Sequence, residues 1–337
     1  MALLLERAGV RTTLLCRTNE QAERMNESRE NEKYLPGVEL PDRLKIRALG
    51  GREDQFHRAD LVFIAVPSAG IAEAIAELER QGVNERAGVV SLAKGLVPPN
   101  GMPPTEVLDR AFGPEHVACI GGPAHAKEMV EGGAGLICAS QPPLLAETVA
   151  AVLREAGVVC EVSTDPVGVE LAGCAKNAAA LAAGATEPQG LNAAGMAAAD
   201  IFGEVLALAE SRGGRPRTFL GRAGIGDLVA TAMAPKSRNR SAGELLAEGV
   251  PAGEIPEKLG QAVEALETVP LLARAIRQAG IQAPITSALA DLIEGDLPLD
   301  DWVKLVRVAQ PDPERRDRGF RSWLRRVRRW LSRMRRR

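Results

Sequence analysis

The stretch LVFIAVPSAGIAEAIAELERQGVNERAGVVSLAKG (61–95) decides the fold class. It places two short, apolar, β-branched runs, 61–68 and 88–95, on either side of a helical pattern over 68–81. A strand, a helix and a second strand in succession predict a parallel sheet with helices on its faces. Both strands are almost continuously apolar, which is typical of a sheet that is buried on both sides.

The same alternation extends outward to about residue 163. Further strands are predicted at VRTTLLCR (10–17), HVACIGGP (116–123), GLICAS (135–140) and GVVCEVSTD (157–165), and a further helix at PPLLAETVAAVLREAG (142–157). From about Asp165 to residue 311, Ala, Gly and Leu recur at helical spacing and β-branched runs nearly vanish. We therefore expect an α/β domain over 1–163, a helical domain over 164–311, and a separate tail over 312–337.

The charge is strongly segregated along the chain. The 337 residues carry a net charge of -2, but residues 312–337 hold twelve Arg against three acidic residues, so the preceding part carries -11. Five cysteines without paired spacing indicate reduced, buried thiols and a cytoplasmic protein. The three histidines are far apart in the sequence, so we expect no metal site.

Two lysines are candidates for chemistry. Lys94 follows a predicted strand, at the edge of an α/β sheet where ligands bind, as do Pro67-Ser68 and Gly122-Pro123, although all three are also ordinary turn sequences. Lys176 lies in an apolar helical stretch (167–185) with small residues three and four positions away. Burial would lower its pKa and suit it to acid–base chemistry, unless the side chain extends out to solvent.

The segment RTFLGRAGIGDLVATAMAPKSRNR (217–240) supplies further candidates. Asp227 follows a glycine-rich run and could be a helix cap. The SRNR motif (237–240) concentrates two guanidinium groups and an amide, a donor set suited to a phosphate, although a solvated basic loop would have the same composition.

Taken together, these stretches resemble the bacterial NAD(P)-dependent glycerol-3-phosphate dehydrogenases from about residue 2 to about residue 292. The resemblance rests on an ordered set of motifs: NxxYLPGVxLP (31–41), AVPS (65–68), AKG (93–95), GGPAHAKE (121–128), GVELAGCAKNAAALAAG (168–184), GRAGIGDL (221–228), SRNR (237–240) and VEALET (263–268). It implies a Rossmann-type dinucleotide-binding domain, a helical substrate domain, and reversible reduction of dihydroxyacetone phosphate to sn-glycerol 3-phosphate for phospholipid synthesis. Ketopantoate or 6-phosphogluconate-type dehydrogenases are an alternative, against which SRNR and the lysines of AKG and AKN argue.

The resemblance also implies roles for individual residues. Lys176 would be the catalytic acid–base, and the substrate would be bound by Lys94, Gly122, Ala124, Asp227, Ser237, Arg238 and Asn239. The cofactor, NADPH or NADH, would be bound by Arg17, Tyr34, Lys94, Ala126, Arg238 and Glu264. Arg17 ends a predicted strand where an NAD-specific fold would place an acid, so it favours the 2′-phosphate of NADP.

The sequence departs from the family pattern in several places. It begins inside the helix that should follow a first strand and a GxGxxG turn, so neither of these is present. Two interpretations stay open: translation that starts upstream of Met1, or a non-catalytic paralogue with impaired cofactor binding that acts through membrane or partner docking of its tail. Ala124 replaces a Ser or Thr, Ala265 replaces a Gly, and Asp200 adds a negative charge near the expected phosphate site.

The tail lies outside the resemblance. Its apolar residues recur at intervals of three and four, with arginines around them: Phe320, Trp323, Leu324, Val327, Trp330, Leu331 and Met334. This pattern predicts a basic amphipathic helix over 315–337 that lies on an anionic membrane surface, at the inner face of the membrane. Docking on the acidic body of the protein or on a partner, and attraction to nucleic acid, are the alternatives, of which nucleic acid is the least favoured. From the resemblance we also expect a homodimer.

Overall fold

The computed structural model describes residues 1–50, 56–234 and 237–308. Strands and helices alternate up to Ser163, in the order α1 (Ala2–Arg7), β1 (Thr13–Cys16), α2 (Asn19–Ser28), β2 (Glu30–Asn31), β3 (Leu35–Glu39), β4 (Lys45–Ala48), β5 (Leu61–Ile64), α3 (Ile71–Gln81), β6 (Gly88–Ser91), α4 (Pro104–Phe112), β7 (Val117–Gly121), α5 (Ala126–Glu131), β8 (Gly135–Ser140), α6 (Leu144–Glu155) and β9 (Val159–Ser163). All six predicted strands and both predicted helices are present; β8 has the predicted bounds, and the other five strands are shorter than their apolar runs.

The main sheet has five strands in the order β5-β6-β7-β8-β9. It is parallel apart from the β7–β8 pair, which is antiparallel. A separate two-stranded parallel sheet joins β1 to β4, and β2 and β3 form a small antiparallel hairpin. Within the described residues, no strand pairs with β1 on the side away from β4, or with β5 on the side away from β6.

Both faces of the main sheet are covered, as its continuously apolar strands predict. On β6, Val90 faces a cluster with α1 and α6, whereas its neighbour Val89 faces a cluster with α3 and α4. The opposite directions of successive side chains explain why both residues are fully buried. The sheet is thus held rigidly between two helical layers, and the residues at its carboxyl edge have fixed positions.

From Pro166 onward, every regular element of the described chain is helical. The helices are α7 (Pro166–Thr186), α8 (Leu191–Ser211), α9 (Pro216–Leu220), α10 (Asp227–Met233), α11 (Arg238–Ala247), α12 (Ile255–Leu259), α13 (Glu264–Gln278), α14 (Pro284–Glu294) and α15 (Leu299–Val308), with a wide helical turn at Arg222–Gly226. The predicted tail, 312–337, lies outside the described residues.

Helix α7 is the centre of the helical region. Nearly all of its 21 residues are buried, and it packs against α8, α10, α11, α13 and strands β7 and β8. Asp165 caps its first turn by accepting a hydrogen bond from the Gly168 amide at 2.8 Å, and the same carboxylate accepts from the Thr218 hydroxyl at 2.5 Å. A helix fixed on all sides in this way can hold a side chain in one orientation.

Helix α8 packs against the hydrophobic core on one side, where Ile201, Val205 and Leu208 are fully buried. By length and composition alone, α8 could also cross a membrane. One side of α8 packs extensively against α7, whereas Leu191 and Met196 on the same helix are exposed.

Candidate active site

A cavity of about 210 Å³ opens where the carboxyl edge of the sheet meets the helical region. Its polar walls come from five parts of the chain: the segment after β6, the segment after β7, α7, α10, and the region around α11 and the start of α13. The residues that line it are Leu92, Lys94, Ala124, His125, Lys176, Asn177, Asp227, Arg238, Asn239, Ala262 and Glu264. Seven of these are predicted site residues, brought together from positions up to 170 apart in the sequence.

Asp227 lies between the two predicted lysines. Its Oδ2 accepts a hydrogen bond from Lys94 Nζ at 2.7 Å, and its Oδ1 lies 3.5 Å from Lys176 Nζ. The Asp227 residue is only 2% exposed, so its charge is available to these two ammonium groups and hardly to solvent. The N-cap of α10 is Gly226, so Asp227, the first residue of the helix, is an ion-pair partner of both lysines and not the helix cap.

Lys176 is almost fully buried, at 9% exposure, and the alternative of a side chain that extends into solvent is wrong. Its Nζ donates to Thr231 Oγ1 at 3.2 Å. Burial and the nearby charge of Lys94 lower the pKa of Lys176 to about 8, although Asp227 and Glu264 oppose the shift. A lysine side chain with a pKa of about 8, on the wall of a cavity, can donate a proton as the ammonium and accept one as the neutral amine.

Lys94 is held by two acceptors from different elements. Besides Asp227, its Nζ donates to the Gly122 carbonyl at 2.9 Å. Gly122 follows β7 with a φ of +97°, and a Cβ there would lie 2.5 Å from the Gly135 carbonyl oxygen. Only glycine fits this position, and Gly122 contacts the site through its carbonyl, which accepts from Lys94.

Asn177, which the sequence analysis did not single out, connects the remaining polar groups. Its Nδ2 donates to the Lys94 carbonyl and to Glu264 Oε2, both at 3.1 Å, and its Oδ1 accepts from Asn239 Nδ2 at 2.8 Å. The side chain is completely buried. Its position directly after Lys176 in the AKN motif was the available signal, but its partners lie 62 to 87 residues away.

The two arginines of SRNR have different surroundings. Arg238 lines the cavity, whereas Arg240 pairs with Glu187 through its Nε and Nη2 atoms and with Glu244. Ser237 caps α11 by accepting from the Arg240 amide. Only one of the two guanidinium groups therefore faces the site.

Five predicted site residues are not among those that line this cavity, and Gly122 is one of them. Ser237 is buried at the start of α11, Ala126 begins α5, and Tyr34 is 58% exposed in the turn between β2 and β3. Arg17 is exposed directly after β1. Asp200 is also absent from the cavity wall. It lies on α8, where its negative charge helps to raise the pKa of Glu204.

Comparison with known proteins gives a consistent result. The family model "NAD-dependent glycerol-3-phosphate dehydrogenase N-terminus" matches residues 1–144, and the corresponding C-terminus model matches residues 165–304. A glycerol-3-phosphate dehydrogenase [NAD(P)+] from Deinococcus radiodurans is 37% identical over 304 residues, covering 88% of this chain and 87% of the relative. One from Alcanivorax borkumensis is 33% identical over 314 residues, covering 89% and 88%. The crystal structure of glycerol-3-phosphate dehydrogenase from Coxiella burnetii superimposes with a TM-score of 0.84 at 27% identity, covering 91% of this chain and 94% of that one.

Proposed function

The chain belongs to the NAD-dependent glycerol-3-phosphate dehydrogenase family, and from that premise we propose that Lys176 is the acid–base with which it reduces dihydroxyacetone phosphate to sn-glycerol 3-phosphate. The relatives support this activity and not the non-catalytic alternative. The product is the backbone donor of phospholipid synthesis. The observation that carries the role of Lys176 is its buried ammonium on the cavity wall, 3.5 Å from Asp227.

The proton transfers follow from the surroundings of Lys176. When bound, the reduced nicotinamide supplies the hydride that the carbonyl carbon of the substrate accepts. The Lys176 ammonium donates a proton to the carbonyl oxygen, and in the reverse direction the neutral amine accepts the hydroxyl proton. Asp227 holds the ammonium in place, and its negative charge stabilises the protonated form.

The other cations of the cavity suit the rest of the substrate. Arg238 and the Asn239 amide provide donors for the phosphate group, and Lys94 Nζ provides a second ammonium beside the reacting oxygen. Ser237 contributes to this phosphate site as the cap of the helix on which Arg238 and Asn239 lie. Ala124 lines the cavity with a small side chain, and Gly122 acts through its carbonyl, which accepts from Lys94 Nζ.

The donor set also fits a nicotinamide dinucleotide. Arg17 and Lys94 each follow the carboxyl end of a strand, which is the edge where such cofactors bind, and guanidinium and ammonium groups complement their phosphates. Arg238, Glu264, Ala126 and Tyr34 complete the proposed cofactor contacts. Since Arg17 is a cation where NAD-specific folds have an acid, NADP is the preferred cofactor in this proposal.

The Arg17→Asp substitution tests this preference. We expect the ratio of kcat/KM for NADPH to that for NADH to fall about tenfold or more, because an acid repels the 2′-phosphate and binds the ribose hydroxyls. The same ratio in the variant and the unmodified chain would contradict the role of Arg17.

The Lys176→Ala substitution tests the assigned acid–base. Oxidation of NADPH that depends on dihydroxyacetone phosphate should lose about 10²–10⁴-fold in kcat, the range that a general acid supplies. The matched control is Lys304→Ala, because Lys304 is an exposed lysine on α15 that pairs with Asp301 outside the cavity. A Lys176→Ala variant that retains activity would contradict the proposal.

The organisation of the whole chain is also part of the proposal. The dinucleotide-binding domain comprises residues 1–163, the helical substrate domain 164–311, and the tail 312–337. The chain works in the cytoplasm as a homodimer. The exposed apolar side chains of Leu191 and Met196 on α8 support the dimer. Light scattering in solution, which measures the mass of the particle, tests it. The tail associates with the inner face of an anionic membrane through residues 315–337.

A further inference from the structure

One face of α7 contacts the chain segment that carries Lys94. Glu170, Gly173 and Asn177 lie three and four residues apart and therefore share a side of the helix. Asn177 Nδ2 donates to the Lys94 carbonyl at 3.1 Å, at the near end of the segment 94–105. At Gly173, an added Cβ would lie 3.6 Å from Lys94 Cβ, which is an ordinary van der Waals contact, so the stem of Lys94 lies directly against this side of the helix.

Glu170 holds the far end of the same segment. Its Oε1 accepts from the Thr105 amide at 2.9 Å, and its Oε2 accepts from Thr105 Oγ1 at 2.6 Å. Thr105 is the second residue of α4, so the carboxylate connects the first turn of α4 to the helix that bears Lys176. The segment 94–105 is thereby attached to α7 at both ends.

Glu170 has no cationic partner among the described residues, although it is only 3% exposed. Burial raises the pKa of Glu170 to about 8, and the two hydrogen bonds from Thr105 only partly oppose this shift. Burying a carboxyl group without an ion pair costs free energy, and an apolar side chain would fill the same space without that cost.

We propose that Glu170 is a positioning residue for Lys94: by fixing Thr105 to α7, it keeps the segment 94–105 where the Lys94 ammonium reaches both the Gly122 carbonyl and Asp227. The inference rests on the proposed function, since it takes Lys94 to be part of the reacting site. Glu170 itself does not line the cavity. Its effect on the reaction passes through the backbone between residues 94 and 105.

The test compares Glu170→Gln and Thr105→Val with two controls. Both variants remove part of the link, and we expect each to lower kcat/KM for dihydroxyacetone phosphate about tenfold, because small displacements of a catalytic group are expensive. Thr105→Ser keeps the hydroxyl that donates to Glu170 and should have the kcat/KM of the unmodified chain. Glu204→Gln is the matched control: like Glu170, Glu204 accepts two hydrogen bonds at a helix start, in its case from the backbone amides of Ile285 and Thr286, but it lies outside the cavity. It should lower the melting temperature and leave kcat/KM unchanged.

A double-mutant cycle with Lys94→Ala separates positioning from a purely structural role. If Glu170 acts through Lys94, Glu170→Gln should have no further effect on kcat/KM in the Lys94→Ala background. The same fold loss in both backgrounds, or unchanged kcat/KM in both Glu170→Gln and Thr105→Val, would overturn the inference. An unmodified chain that does not turn over dihydroxyacetone phosphate would instead contradict the proposed function.

Discussion

At the scale of single residues, the two arginines of SRNR make the clearest contrast. Arg238 lines the cavity, whereas Arg240 is bound to Glu187. The Arg238→Ala substitution should raise KM for dihydroxyacetone phosphate by about 10- to 150-fold, because it removes the proposed charge-assisted contact to the phosphate, worth about 1.5–3 kcal/mol. Arg240→Gln, two residues away, should leave KM within about twofold. Steady-state kinetics checks both, and equal effects would contradict the assignment.

How much of the site the sequence could predict depends on how local each signal is. Lys176 and Lys94 stand out because an ammonium among apolar residues requires an explanation, and Asp227 stands out after a glycine-rich run. Asn177 does not, since a buried amide is informative only once its distant partners, Lys94, Glu264 and Asn239, are known. The same limit applies to Asp200, which the family pattern placed near the expected phosphate site and which does not line the cavity.

At the scale of elements, continuous apolar runs predict the strands of the main sheet, whereas elements without such a run, α2 among them, are missed. The main-sheet strands and α3 and α6 are predicted because their patterns are long and continuous. The hairpin of β2 and β3 was not foreseen: β2 has only two residues, and β3 contains Pro36 and Gly37. The antiparallel direction of β8 also escapes prediction, because strand direction leaves no trace in an apolar pattern.

At the scale of the whole molecule, the charge segregation has a testable consequence. If the tail lies on an anionic membrane, the full chain should float with phosphatidylglycerol vesicles at low salt, whereas a chain lacking residues 312–337 should not. Phosphatidylcholine vesicles are the control for charge. Equal flotation of both chains would contradict the membrane proposal, and a lower melting temperature after deletion, without flotation of the full chain, would favour docking of the tail on the acidic body.

The pH dependence of the reaction in both directions tests the central claim about Lys176 most directly. Reduction needs the ammonium and oxidation needs the amine, and the pKa of Lys176 is lowered to about 8. We therefore predict that kcat/KM for dihydroxyacetone phosphate falls as the pH rises through about 8, while kcat/KM for sn-glycerol 3-phosphate rises over the same range.

Two variants assign this transition. Lys94→Ala should move its midpoint upward, because the positive charge of Lys94 lowers the pKa of Lys176. Glu170→Gln should leave the midpoint in place, although the pKa of Glu170 is also about 8. The predicted result is that the pH profiles of kcat/KM for reduction and for oxidation run in opposite directions, and that their midpoint shifts only in Lys94→Ala. Profiles with the same direction for reduction and oxidation, or a transition that disappears in Glu170→Gln, would contradict it.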